Sequence, residues 1–365
     1  MNARRQEAHV LTAKDEAAAA EALYLDGRTD GLPIVVPTEE RVEAMLHYSG
    51  GLDRDVVLGD VGPAAGQLTV EKAAVNAVMA GCQPEIFPLV IAACSAIADP
   101  LFDAGPMQVT THCITPFLIV NGPAREMFNV NCGVGALGPG FRTNATLGRA
   151  VRFVLINVGG GQPGVGDMAT LGSPAKFTCA MGEAQEESPW EPLHVSRGFS
   201  AEDSTVTALG VEGPHSFIFD FDEVQHGGAD LLLKQLGAAI ANPGSNNIFF
   251  CKGAVAVILQ PLHVRVLSDA GLSRRQVQER LYEYASNTRT ALRAISGSRV
   301  EMAPHSGEIL HAVPSPDDLL IMVGGAEGGA YSAFMPSWCG GANGQVAVTK
   351  KVRFDEYCEI PESIR

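Results

Sequence analysis

Short apolar runs closed by glycine or proline alternate along this chain with stretches of helical periodicity. That alternation limits the fold more than any other feature. Residues 115–123 (TPFLIVNGP), the apolar part of 246–260 (NNIFFCKGAVAVILQ) and 317–325 (DDLLIMVGG) read as buried strands, the middle stretch holding one or two. Residues 30–38, 55–63, 204–211, 215–221 and 346–354 read as further strands. Helical spacing marks 13–26, the stretch from Thr69 to Cys82, the stretch from Pro84 to Ala98, 143–157, 228–241 and 273–288. Thr38, Thr69 and Ser273 stand where N-caps belong. Strands interleaved with helices predict an α/β protein, a layered sheet, substantially parallel or mixed, covered by helices. No internal repeat is evident. The pattern changes near residue 200, which predicts two subdomains: 1–200 with a Gly-rich loop and an acidic cluster, and 201–365 with a Gly-rich C-terminal loop.

Composition removes several function classes. Of 365 residues, 46% are hydrophobic and 18% charged, enough apolar material for a core, which excludes global disorder. The net charge is −15, and no run of Lys or Arg supplies the basic stripe that a nucleic-acid groove needs. No apolar run reaches the roughly 18 residues of a membrane span, and no signal-length apolar core follows the basic start. A soluble, cytoplasmic protein is expected. The eight cysteines include no CxxC pair, so reduced and mostly buried thiols are expected, with one or two reactive.

Four stretches concentrate polar chemistry. Cys82, between Gly81 and Pro84, joins two apolar helices. A helix start lowers a thiol pKa and makes Cys82 the expected reactive sulfur, against the alternative of a small buried corner residue. Residues 129–144 run from Asn129 through Cys132 and a glycine-rich loop into a helix, downstream of Asn121-Gly-Pro. Free N–H groups there, with Arg142, Asn144 and Arg149, predict an anion site; the alternative is a tightly packed turn. The spacing is neither a P-loop nor a dinucleotide fingerprint. The third stretch carries Asp167, Lys176, Glu183, Glu186, Glu187, Trp190 and His194. A helix over 183–187 would gather its three carboxylates on one face and raise one pKa, with Lys176 or a metal as the compensating cation. Either a general acid/base group or a divalent-metal site of Asp167, Glu183, Glu187 and His194 would follow, against a solvated acidic loop. The fourth, 323–341, ends a strand in paired glycines and places Cys339 after Trp338, as a ligand-facing or an ordinary thiol. His263 and the pair His112-Cys113 have no diagnostic metal spacing, and HExxH and GxSxG are absent.

The stretches Asn76–Cys82, Asn121-Gly-Pro123, Leu137 through Asn144 to Arg149, and Ser188-Pro-Trp-Glu-Pro-Leu-His194 together resemble a bacterial family of about this length. Its members are encoded beside, or fused to, small redox proteins with a UGSC (or CGSC) motif, similar to the thiol/selenol subunits of glycine- and proline-reductase systems. The resemblance implies a redox partner and thiol chemistry. Cys-Gly-Ser-Cys does not occur here, so that centre would sit in another chain.

Together these signs predict a cytosolic enzyme, an oxidoreductase or a lyase, for a small carboxylate-bearing substrate. Asn121, Arg142, Asn144, Arg149, Lys176 and Trp190 would bind it. Glu183, Glu187 or His194 would move protons, and Cys82 with Cys339 would supply sulfur. No cofactor is expected. The alternatives are a divalent-metal lyase or hydrolase, and a non-catalytic subunit that presents substrate to a small redox protein. A homo- or hetero-oligomer is expected, without nucleic-acid or membrane partners.

Overall fold

The computed structural model describes residues 11–219, 228–341 and 344–354. The chain start, the end of the 215–221 run and Cys358 lie outside the described residues.

Two four-stranded sheets form the centre. The first has the order β12-β5-β3-β4, from β3 (Thr115–Asn121), β4 (Ala180–Gly182), β5 (Thr205–Val211) and β12 (Val348–Lys351). The second has the order β10-β7-β11-β6, from β6 (His215–Ile218), β7 (Val255–Leu259), β10 (Leu319–Val323) and β11 (Tyr331–Pro336). Each sheet holds one parallel pair, β3 with β4 and β7 with β10, and its other pairs are antiparallel. A hairpin of β1 (Val57–Val61) and β2 (Gly66–Thr69), and a short pair of β8 (Ser286–Thr288) and β9 (Ile309–His311), lie outside these sheets.

The strands are apolar on both faces, and alternate residues enter different cores, as the period of two requires. Phe117 and Ile119 of β3, Ala256 and Ile258 of β7, and Leu320 and Met322 of β10 share one core between the sheets. Leu118 and Val120 point the other way, into a core with the helices Val70–Ala80, Phe87–Ile97 and Arg142–Asn157. Val257, Leu259 and Ile321 meet the helices Gly228–Ile240, Pro261–Asp269 and Arg274–Tyr284. The result is four layers, helix, sheet, sheet and helix. It is an α/β fold with mixed sheets.

Both sheets share one pattern: a parallel pair, then two antiparallel additions. The second sheet is drawn from one continuous stretch, residues 215–336, whereas the first closes only with β12, which lies beyond that stretch. β6 follows β5 in sequence but edges the second sheet, and β12 follows β11 but edges the first. This topological duplication has no counterpart in the residue pattern. A division near residue 200 falls between β4 and β5, two strands of one sheet.

The caps at Thr38, Thr69 and Ser273 form, the last as a full capping box. Residues 30–38 form no strand, and residues 246–250 are a helix rather than a strand. Among the described residues no single helix is long and apolar enough to cross a membrane.

Candidate functional site

The helix Arg142–Asn157 carries the centre of the site. Its apolar run Ala150–Ile156 is interrupted by Arg152, which is buried. A buried arginine must find acceptors. It donates from Nη1 to Gln108 Oε1 (3.0 Å) and from Nη2 to Gly161 O (3.3 Å) and Asp167 Oδ2 (2.8 Å). Asp167 is delivered by the loop that follows the helix. That loop folds tightly because Gly166 has no side chain, and a Cβ there would lie 2.0 Å from Gly160 O. Lys176, in a 3-10 turn capped by Ser173, donates to both Asp167 oxygens, at 2.7 and 2.8 Å. At the other end of the segment, Gly148 lets the helix approach residues 178–179, where a Cβ would lie 2.4 Å from Thr178 Oγ1.

These three charges border a cleft of about 570 Å³, lined also by Asp30, Ile156, Pro163, Pro174 and Phe177. That size suits a small molecule. Burial pushes the Asp167 carboxyl up, but Lys176 and Arg152 outweigh it and hold the group below the usual range. Burial likewise lowers the Lys176 amine, with Arg152 adding to the effect and Asp167 opposing it. Asp30 is already neutralised by a two-point grip from Arg149 (2.7 and 2.9 Å). The centre therefore holds two cations against one carboxylate. Arg152 spends three of its five donors, and Lys176 two of its three, which leaves donors for a ligand. A second cleft, about 670 Å³, lies between β1 and the helix Phe87–Ile97. It contains none of the expected site residues, and its lysines Lys350 and Lys351 pair with Asp99 and Asp203.

Of the sequence-predicted residues, Lys176 and Asp167 meet in the cleft and the others lie elsewhere. Arg149 is committed to Asp30, to Pro33 O (2.8 Å) and to the Phe153 ring. Arg142 is exposed. Asn144 is buried and ties the glycine-rich loop to the helix, accepting from Asn131 N (2.8 Å) and donating to Asn131 O (2.8 Å) and Ala136 O (3.1 Å). The loop expected to hold an anion is thus held by a side-chain amide. Trp190 donates from Nε1 to Leu272 O (3.0 Å) and packs against the second sheet's helices.

The acidic stretch is no helix face. β4 ends at Gly182, and only a 3-10 turn follows, at Gln185–Glu187. Glu183 points inward and is fully buried; its Oε2 accepts from Asn121 Nδ2 (2.5 Å) and Leu193 N (2.7 Å), with Arg274 3.7 Å from Oε1. Burial raises its carboxyl, with Arg274 opposing, so desolvation and not crowding of like charges is the cause. Glu186 pairs with Arg125 and Glu187 is exposed. His194 is fully buried, and burial lowers it, with the backbone at Ala201 and Ser200 opposing. Asp167, Glu183, Glu187 and His194 therefore do not converge. Among the described residues no group of three or more His, Cys, Asp or Glu side chains is arranged to hold a metal ion.

The thiols also fall differently from expectation. Cys82 is packed in the apolar corner, and burial pushes it up to about 12, despite a contact from Sγ to Thr146 O (3.4 Å). Desolvation outweighs the helix start that suggested a lowered value. Burial raises Cys339 as well. The residues that pattern reading missed are Arg152, Arg125, Cys132 and Arg274. Cys132 is half-buried and accepts from Arg125 Nη1 at 3.3 Å. Arg152 had a signal, a charge inside an apolar helical run that only a buried partner explains. No family model, curated protein or solved structure matches the chain.

Proposed function

We propose that this chain is an enzyme acting on a small carboxylate-bearing substrate, bound in the cleft at Arg152 and Lys176, with Lys176 moving the proton. One observation carries the reading: a buried group of two cations and one carboxylate opens into a cleft of small-molecule size. An anionic ligand would supply the second negative charge. Arg152 keeps one N–H on Nε and one on Nη1 for charge-assisted hydrogen bonds to a carboxylate. Burial favours the neutral amine of Lys176, and Asp167 stands within hydrogen-bond distance to take or return its proton. Acid/base chemistry thus moves from Glu183, Glu187 and His194 to Lys176 and Asp167. Cys82 and Cys339 have no part in it, and any redox sulfur would belong to a partner.

The test is titration with acetate, propionate and pyruvate, followed by NMR or calorimetry. Saturable binding is expected, and Arg152→Gln should weaken it by about 1.5–3 kcal/mol, the range for charge-assisted hydrogen bonds. Equal affinity in a folded Arg152→Gln protein would remove the reading.

A further inference from the structure

We infer that Lys176 forms an imine with the carbonyl carbon of a 2-oxo carboxylate bound in the cleft. This rests on the carboxylate reading above and names the substrate class. Lys176 Nζ and Arg152 Nη2 both donate to Asp167 Oδ2, at 2.7 and 2.8 Å, so amine and guanidinium flank one oxygen. A 2-oxo acid carries its carboxylate and its electrophilic carbon on adjacent atoms. Arg152 keeps N–H groups on Nε and Nη1 for the carboxylate, and Lys176, joined to it through Asp167, keeps its nitrogen for the adjacent carbonyl carbon. Ile156, Pro163, Pro174 and Phe177 form apolar walls that accept the remaining chain and thin the water around the amine. Of the two cations at the cleft, only lysine gives a nucleophilic primary amine once its proton is removed, since the guanidinium keeps its proton.

The step balances without a further reactant. The Lys176 ammonium passes a proton to Asp167, and the freed amine adds to the carbonyl carbon. A second N–H proton moves from nitrogen to the carbonyl oxygen, giving the hydroxyl of a carbinolamine. Asp167 returns its proton to that hydroxyl, which leaves as water while the C=N bond forms. One ammonium and one carbonyl give one protonated imine and one water. No electron is gained or lost. Burial lowers the Lys176 amine, which raises the share of nucleophilic nitrogen.

The experiment uses the whole chain with pyruvate, reduction by sodium borohydride, and peptide mapping by mass spectrometry. Expected is a reduced pyruvyl adduct on Lys176 ahead of the exposed Lys234, lost when excess propionate occupies the cleft and lost in Arg152→Gln. Adducts spread over exposed lysines would overturn the proposal. So would the absence of any adduct while pyruvate still binds saturably through Arg152, a result that leaves the carboxylate reading standing. If neither pyruvate nor propionate binds, both fall.

Discussion

Asp167 and Glu183 are both buried carboxylates on the chain between the helix Arg142–Asn157 and β5, and each has an arginine near it. Their pKa values move in opposite directions. Asp167 receives direct donors from two cations and sits below the usual range. Glu183 takes its hydrogen bonds from an amide side chain and a backbone N–H. Arg274 stands 3.7 Å away, its own donors on Ile321 O and Glu191 O, and burial raises the carboxyl. The first group borders a cleft, and the second is closed at the carboxyl ends of β3, β4 and β10, where Ala184 N donates to Val323 O. A buried acid is thus no guide to chemistry by itself. What separates the two is the number of cations in contact and whether a ligand can reach them.

The largest effect expected from this contrast is at Asp167. Asp167→Asn leaves two buried cations without their counter-charge, and about 3–5 kcal/mol of stability should be lost in a urea titration. Glu183→Gln should cost about 1 kcal/mol or less, because an amide can keep both hydrogen bonds to a group already biased toward neutrality. Equal losses would mean that Glu183–Arg274 is a true ion pair, and the contrast would collapse.

Acid titration of stability sharpens it further. Asp167 and Glu212 have depressed pKa values, Glu212 at about 2 because donation from His112 and His215 outweighs its burial. Their stabilisation is complete above the unfolded-state pKa and is lost as pH falls, for Glu212 over the window down to about 2. Glu183 has the opposite sign. Its raised value favours the fold at low pH, and that advantage disappears as pH rises through the folded pKa. The cost of Glu183→Gln relative to wild type should therefore fall as pH rises. A cost that rises with pH would reverse the assignment.

The smallest effect concerns sulfur and leaves stability untouched. Brief alkylation at neutral pH with peptide mapping should modify half-buried Cys132 before Cys82 and Cys179, whose burial raises both to about 12. Cys82 reacting first would restore the helix-junction nucleophile.

Local signals were legible where local physics decides. Thr69 and Ser273 cap helices because their hydroxyls satisfy N–H groups a few residues away, and β3, β7 and β10 announce themselves as short β-rich apolar runs. The site was only partly legible, because its members come from segments that meet through tertiary packing. Gln108, Arg152, Asp167 and Lys176 span four pieces of chain, and residues 159–178 have no periodicity to interpret. The acidic stretch misled because helix spacing was applied where the backbone turns after β4. At Cys82 the neighbouring glycine and proline were visible, but the apolar surroundings that raise its pKa were not.

The late return of β12 to the first sheet sets the timetable of its folding. A ribosome delivers β3, β4 and β5 early, yet the open edge of β5 waits for residues 348–351, after every other strand has emerged. Throughout that interval β5 presents unpaired backbone donors and acceptors to any neighbouring chain. The first sheet therefore closes last, through the pairing of β5 with β12 across a very large sequence separation, after the strands of the second sheet, residues 215–336, have all emerged.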